Sequence, residues 1–492
     1  MKAFTEPLLS LAGFEEMTKT AEKSSGLISV TGCIDAQKSQ MIYAFGGHRK
    51  NKLIVTFGEQ KVKELYDEYS FFDKEVVYYP SKDVLFYQSD IRGNLLTAER
   101  IRALKAIREQ ESVTLVTTFD ALMNTMAPIE KMWENVLTLE QGQLLDLKKI
   151  QAALIRMGYE KEYQVQTMGQ FSVRGGILDV FPLTEENPIR IELWGDEIDT
   201  IRYFDCESQK SIENIDRVSI YPAAELVLSD EEKAGGIEKL KAEAKRVSDK
   251  LRKQMKTEEA HRVTVMADEL TEEWGELSMY AGMDAFLSYF FDERVGLLDY
   301  FNPSDSLIFF DELTRCAEQG KLTETEFSES MKQRLAMGYI LPGQMNGLFT
   351  EKEIVAKLEK YSCIALGALD NKANGLHQLG SYGIHCQSVS PYNNSFELLI
   401  KDLKRYKKNG YRVILLSGSR TRAKRLSEDI TDQGITCFYT ENYDHELSEG
   451  QIMVCYGKVR RGFEYPILKF AVITESDILG AQQKKKKRHR TY

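Results

Sequence analysis

The chain has 492 residues, of which 42% are hydrophobic and 28% charged, and its formal net charge is −10. That length fits roughly three or four domains at ~100–200 residues each, and the composition lets each bury its own core. The acidic balance argues against a chain that coats nucleic acid unaided, because phosphate binding is driven by Lys and Arg.

The opening MKAFTEPLLSLAGFEEM is not a secretory leader, since its apolar stretch is short and acidic residues follow at once. From 26 to 125 the pattern alternates strand and helix. LISV (27–30), KLIVTF (52–57) and VTLVTT (113–118) are β-branched runs, each followed by helical periodicity. This predicts a parallel, doubly wound sheet. After about 130 the period changes. LDLKKIQAALIRMGY reads as one amphipathic helix; FSVRGGILDVFP, IRIELWG and EIDTIRYFD alternate every second residue and are divided by GG, ENP and GDE turns. The expectation is an antiparallel α+β unit inserted into the first fold. Residues 229–260 are polar and read as a solvated helix. SLIFFDEL (306–313) returns to the parallel style, and YRVILLSG (411–418) and LKFAVITES (468–476) are buried strands of a further α/β unit.

The last residues, KKKKRHRTY, are a basic run with the composition of a linker. They suggest the N-terminal piece of a longer protein; the alternative is a basic tail for nucleic acid or an anionic surface. No stretch approaches the ~18 apolar residues of a membrane helix. The seven cysteines are dispersed without a CxxC, which fits a reducing cytosol. His377, His385 and Cys386 lack a fourth ligand, so they read as loop and core, and no metal site is expected.

A phosphate loop needs G-x-x-x-x-G-K-[ST] between strand and helix, so that backbone N–H groups close around the phosphates, Lys neutralises charge and Ser or Thr holds magnesium. Thr31-Gly32-Cys33-Ile34-Asp35-Ala36-Gln37-Lys38-Ser39 keeps the spacing, with Gly32, Lys38 and Ser39 in place. Gln37 replaces the second glycine, and Asp35 adds a negative charge inside the cradle. Both oppose nucleotide binding. Asp311 and Glu312 end an apolar strand as a magnesium-holding carboxylate pair would. With the loop damaged they read as a relic, and no catalytic residue is assigned.

In IRIELW, Ile189, Ile191 and Leu193 share one face, and Arg190, Glu192 and Trp194 the other, on a side expected to be exposed. Phe171 and Val173 likewise oppose Ser172 and Arg174 just before Gly175-Gly176. Arg and Trp are enriched at binding hot spots. The same residues could be ordinary cross-strand partners, with Trp194 covering a sheet edge. Both readings stay open on the stripe alone.

The whole pattern decides more. The damaged loop, GQFSVRGGILDVFP…IRIELWGDEIDTIRYFD, then YPAAEL, LLDYF and FFDEL in that order resemble the N-terminal region of the bacterial transcription-repair coupling factors, itself similar to the repair helicase UvrB. The resemblance covers essentially the full length. It implies a split UvrB-like motor domain without ATPase function at 1–125 and 222–335, and an inserted domain at 126–221 that binds the damage-recognition ATPase UvrA. It implies a third, non-catalytic α/β domain at 340–478 and a basic linker at 479–492. By position Arg174, Arg190 and Glu192 match residues that carry the UvrA contact, while Trp194 stands where the family usually has Phe. The polymerase-binding domain and the DNA-translocating motor, with its ATP and magnesium, lie beyond the linker. RNA polymerase and DNA would be engaged there, so this segment needs no cofactor of its own. The implied protein is a cytoplasmic monomer that brings UvrA to RNA polymerase stalled at DNA lesions. UvrB also has a long aromatic hairpin, and the stretch between Tyr79 and Glu99 is too short to supply it. The alternatives are a UvrB-class ATP-driven repair enzyme using Lys38, Ser39, Asp311 and Glu312, or a nucleic-acid binder using the basic tail.

Overall fold

A computed structural model describes residues 1–46, 49–83, 93–276 and 282–480. The middle of the stretch expected to be too short for a hairpin, 84–92, and the basic run in 481–492 lie outside the described residues. The chain forms two compact units, one of Met1–Val76, Pro303–Cys316 and Val355–Tyr492, the other of Val77–Asn302 and Ala317–Ile354. The architecture is mixed α/β with parallel and antiparallel sheets.

In the first unit five parallel strands lie in the order Gln378–Gly383, Gly26–Thr31, Ser362–Leu366, Ser306–Asp311, Asn51–Thr56. Ser306–Asp311 and Ser362–Leu366 are buried along their whole length, as strands covered on both faces must be. The sequence division grouped 340–478 as one domain. In the structure Ser362–Leu366 and Gln378–Gly383 instead flank Gly26–Thr31. Neither segment is long or periodic enough to announce its partner, and the pairing is fixed by contacts far apart in sequence.

The second sheet of this unit has the order Gln387–Ser388, Phe463–Tyr465, Phe470–Thr474, Arg412–Ser417, Ile452–Tyr456, Phe438–Tyr439. Its last four strands are parallel. The core joins Val413, Leu415, Val454 and Ile473 to Leu399 and Leu403 of helix Phe396–Lys408 and to Ile430 of helix Arg420–Asp432.

The second unit holds the inserted α+β domain. Six strands are ordered Ser211–Ile215, Glu197–Phe204, Ile189–Trp194, Ile177–Val180, Gln170–Arg174, Glu160–Lys161, antiparallel except for the last pair. A two-stranded ribbon, Leu137–Glu140 with Arg217–Ile220, completes it. Helix Leu147–Arg156 starts where Asp146 accepts from the N–H groups of Lys148 and Lys149. Leu154 then packs against Phe171, Leu178, Ile189, Ile191 and Ile201 in one core.

The polar segment after 229 is more than a solvated helix. Asp230–Lys253 and Thr257–Glu276 are two helices that pack together. The first begins in a capping box between Ser229 and Glu232. Leu240, Ala244, Val263, Ala267 and Trp274 bury a stripe between them. Small residues along that stripe hide it from a reading by hydrophobicity. Among the described residues no helix is long and apolar enough to cross a membrane.

Candidate functional site

Two places could carry function: the phosphate-type loop of the first unit and the sheet face of the inserted domain.

The loop follows strand Gly26–Thr31 and leads into helix Asp35–Gly46. Its first three backbone donors are already committed. Gly32 N–H donates to the Ala368 carbonyl at 3.1 Å and Cys33 N–H to Gly367 at 3.0 Å. Ile34 N–H donates to Gln37 Oε1 at 3.2 Å. The side chain that replaces the second glycine thus takes an amide that a phosphate oxygen would need. Gly32 sits at φ +81°, and a Cβ there would lie 2.0 Å from the Ile384 carbonyl oxygen. Only glycine fits, but what it admits is a neighbouring strand end.

Lys38 is equally engaged. Its Nζ lies 2.5 Å from Asp311 Oδ1, 3.2 Å from Asp35 Oδ1 and 3.3 Å from Glu312 Oε1. Burial works against its charge, but Asp311, Asp35 and Glu312 together hold its pKa above the ordinary lysine value. Asp311 also accepts from Thr56 Oγ1 at 2.8 Å. Asp35 is shared with Lys61 at 2.9 Å. Glu312 adopts a left-handed φ of 55° and accepts from Ala368 N–H at 3.4 Å. Ser39, the residue placed to hold magnesium, has a buried hydroxyl with no hydrogen-bond partner. The structure therefore brings Gly32, Lys38, Ser39, Asp311 and Glu312 together, in a set whose charges pair with one another.

On the inserted domain the register puts Asp179 opposite Arg190 and Ile177 opposite Glu192. Asp179 is the residue that sequence reading missed. Arg190 Nε donates to Asp179 Oδ1 at 2.8 Å and its NH2 to Oδ2 at 2.9 Å, a two-toothed pair. The same NH2 donates to Gln209 Oε1 at 2.8 Å, and the guanidinium lies 4.3 Å from the Phe204 ring centre. The Asp179 hydrogen bond raises the Arg190 pKa against the cost of burial. Arg174 approaches the same carboxylate at 3.6 Å. Glu192 is bonded to Arg202 NH2 at 2.7 Å and accepts from Thr200 Oγ1 at 3.3 Å; the Arg202 contact, against burial, lowers its pKa.

The row is therefore graded rather than uniformly exposed. The Arg190 side chain is only 12% exposed, whereas Trp194, at the hairpin end, is 83% exposed. The cross-strand pairing open as an alternative is present for Arg190 and Glu192; Trp194 covers nothing. A signal for Asp179 did exist: an acid inside the buried run ILDV is costly unless a cation meets it.

Residues 137–226 match the family model described as the UvrB interaction domain, so the match covers this sheet and both its partners, ribbon and helix. The transcription-repair-coupling factor of Bacillus subtilis (strain 168) is 28% identical over 416 residues, 85% of this chain and 35% of that protein. Those of Staphylococcus haemolyticus (JCSC1435) and Staphylococcus aureus (MRSA252) are each 26% identical, covering 94% and 96% of this chain and 39% and 40% of theirs. This chain is a homologue of the N-terminal part of the transcription-repair coupling factors. It spans well under half the length of these relatives.

Proposed function

We propose that this chain is a recruitment module, which docks the damage-recognition ATPase UvrA on its inserted domain during transcription-coupled repair. The observation that carries the reading is the matched UvrB interaction domain, whose strand Ile189–Trp194 holds the Arg190–Asp179 pair, approached by Arg174, and ends in the freely exposed Trp194. An exposed aromatic and a preorganised arginine on one strand are residue types of a protein-binding hot spot. In this reading RNA polymerase and DNA are engaged by other parts of the family's longer chain, in the cytoplasm. The phosphate-type loop has a structural role and takes no ATP or magnesium; its committed amides and the buried Lys38–Asp311 pair support that over an ATP-driven enzyme.

The test is capture of purified UvrA by the full chain. Trp194→Ala and Arg174→Ala should weaken capture, each by ~1–3 kcal/mol if it is a hot spot. Full capture by the double variant sinks the proposal. Arg190→Ala is a poorer probe, because it also strips the partner from buried Asp179.

A further inference from the structure

The end of the same sheet carries a second feature. In register, Trp194 opposes Glu197, and Glu197 opposes Leu144 on its other side. Directly opposed residues of antiparallel strands share a face. This row thus sets a carboxylate between two large apolar side chains that are 83% and 76% exposed. Trp194 and Glu197 also line a groove of about 550 Å³, with Glu140, Asp199, Asp216 and Arg217. Arg217 is paired with Glu140 at 3.2 Å. Among the described residues Glu197, Asp199 and Asp216 form no ion pair. The groove therefore combines an indole face with three uncompensated carboxylates, whereas the Arg190 and Glu192 end of the sheet is charge-matched within itself.

We propose that this groove receives a basic, arginine-bearing segment of a protein partner. A guanidinium is the group that satisfies both halves of the site, stacking on an indole face while donating to carboxylates. An anionic or purely apolar occupant would leave those carboxylates desolvated and unpaired. The groove's negative potential also speeds encounter with such a segment. The inference rests on the reading of this domain as a docking module. It adds the chemistry of the partner's contact and extends the binding surface from Trp194 to Glu197, Asp199 and Asp216.

The full chain is titrated with an oligo-arginine peptide while indole fluorescence is followed. Saturable quenching is expected, lost in Trp194→Phe, with affinity about 10-fold weaker in the Glu197→Gln/Asp199→Asn double variant. A control pair on an exposed helix, Glu231→Gln/Glu238→Gln, should bind like the unaltered chain. Equal affinity for the groove and control variants, or quenching that survives Trp194→Phe, overturns the groove. A UvrA titration separates the two proposals. If UvrA binds and Glu197→Lys leaves its affinity unchanged, the groove inference fails and the recruitment reading stands. If UvrA does not bind while the peptide behaves as expected, the recruitment reading fails and the groove stands.

Discussion

Lys38 Nζ lies 2.5 Å from Asp311 Oδ1, and each side chain is only 1% exposed. The lysine of the phosphate-type loop is thus spent on a buried carboxylate at the end of a strand. The pair ties helix Asp35–Gly46 to strand Ser306–Asp311. Removing one partner leaves a buried charge alone, so Lys38→Ala should lower unfolding free energy by ~3–5 kcal/mol, measured by urea denaturation. A loss within error of zero would mean that the loop is held by other contacts.

The same relationship predicts the response to nucleotide. ATP with magnesium, titrated calorimetrically into the full chain, should give no saturable heat and no rise in Tm. A nucleotide that bound the folded state would stabilise it by mass action, about 2.7 kcal/mol at a hundredfold excess over Kd. A clear Tm increase would show that the loop of Lys38 and Ser39 still binds nucleotide.

Asp179 and Arg190 supply a third prediction. Arg190→Lys keeps the charge but not the planar two-toothed geometry, nor the stack on Phe204. It should destabilise the inserted domain by about 1–3 kcal/mol, because Asp179 is buried and loses a charge-assisted bond. Arg174, at 3.6 Å, recovers only part of the loss. Thermal unfolding of the two proteins at matched pH decides it, and identical Tm values would show that the fork geometry is unimportant.

Acid response follows from Glu225. Burial opposes its charge, but Arg100, 2.7 Å away, and Lys82 outweigh burial and bring its pKa down to about 2 from an ordinary 4.5. A depressed carboxylate contributes stability that is fully present above pH 4.5 and is lost as pH falls from there towards 2. Unfolding free energy should therefore drop more steeply across that window in the unaltered chain than in Glu225→Gln. Parallel profiles would remove Glu225 as a determinant.

How much of this could be read from sequence depended on the range of the interaction. Strands such as VTLVTT and RVILLS were legible because buried parallel strands are continuous apolar runs. The inserted domain was legible from its period of two, which put Ile189 and Ile191 correctly in the core. The face opposite was named residue by residue, but its chemistry was not. Arg190 was expected to be exposed, and Asp179, Gln209 and Phe204 turn it inward. Partner choice across strands depends on register, and no local pattern encodes register. The loop shows the same limit: Gln37 was visible as a lost glycine, but not as the acceptor that seals Ile34 N–H. The helix pair after 229 was half legible, since alanines and a serine carry the buried stripe.

The measurement that bears most directly on the recruitment reading is the affinity of the full chain for purified UvrA, with and without Trp194→Ala. Trp194 is 83% exposed, so the variant should keep the unaltered chain's Tm. The account predicts saturable binding by the unaltered chain, weakened at least about tenfold by Trp194→Ala, as expected of a hot-spot aromatic. Equal affinity of the two proteins would contradict it.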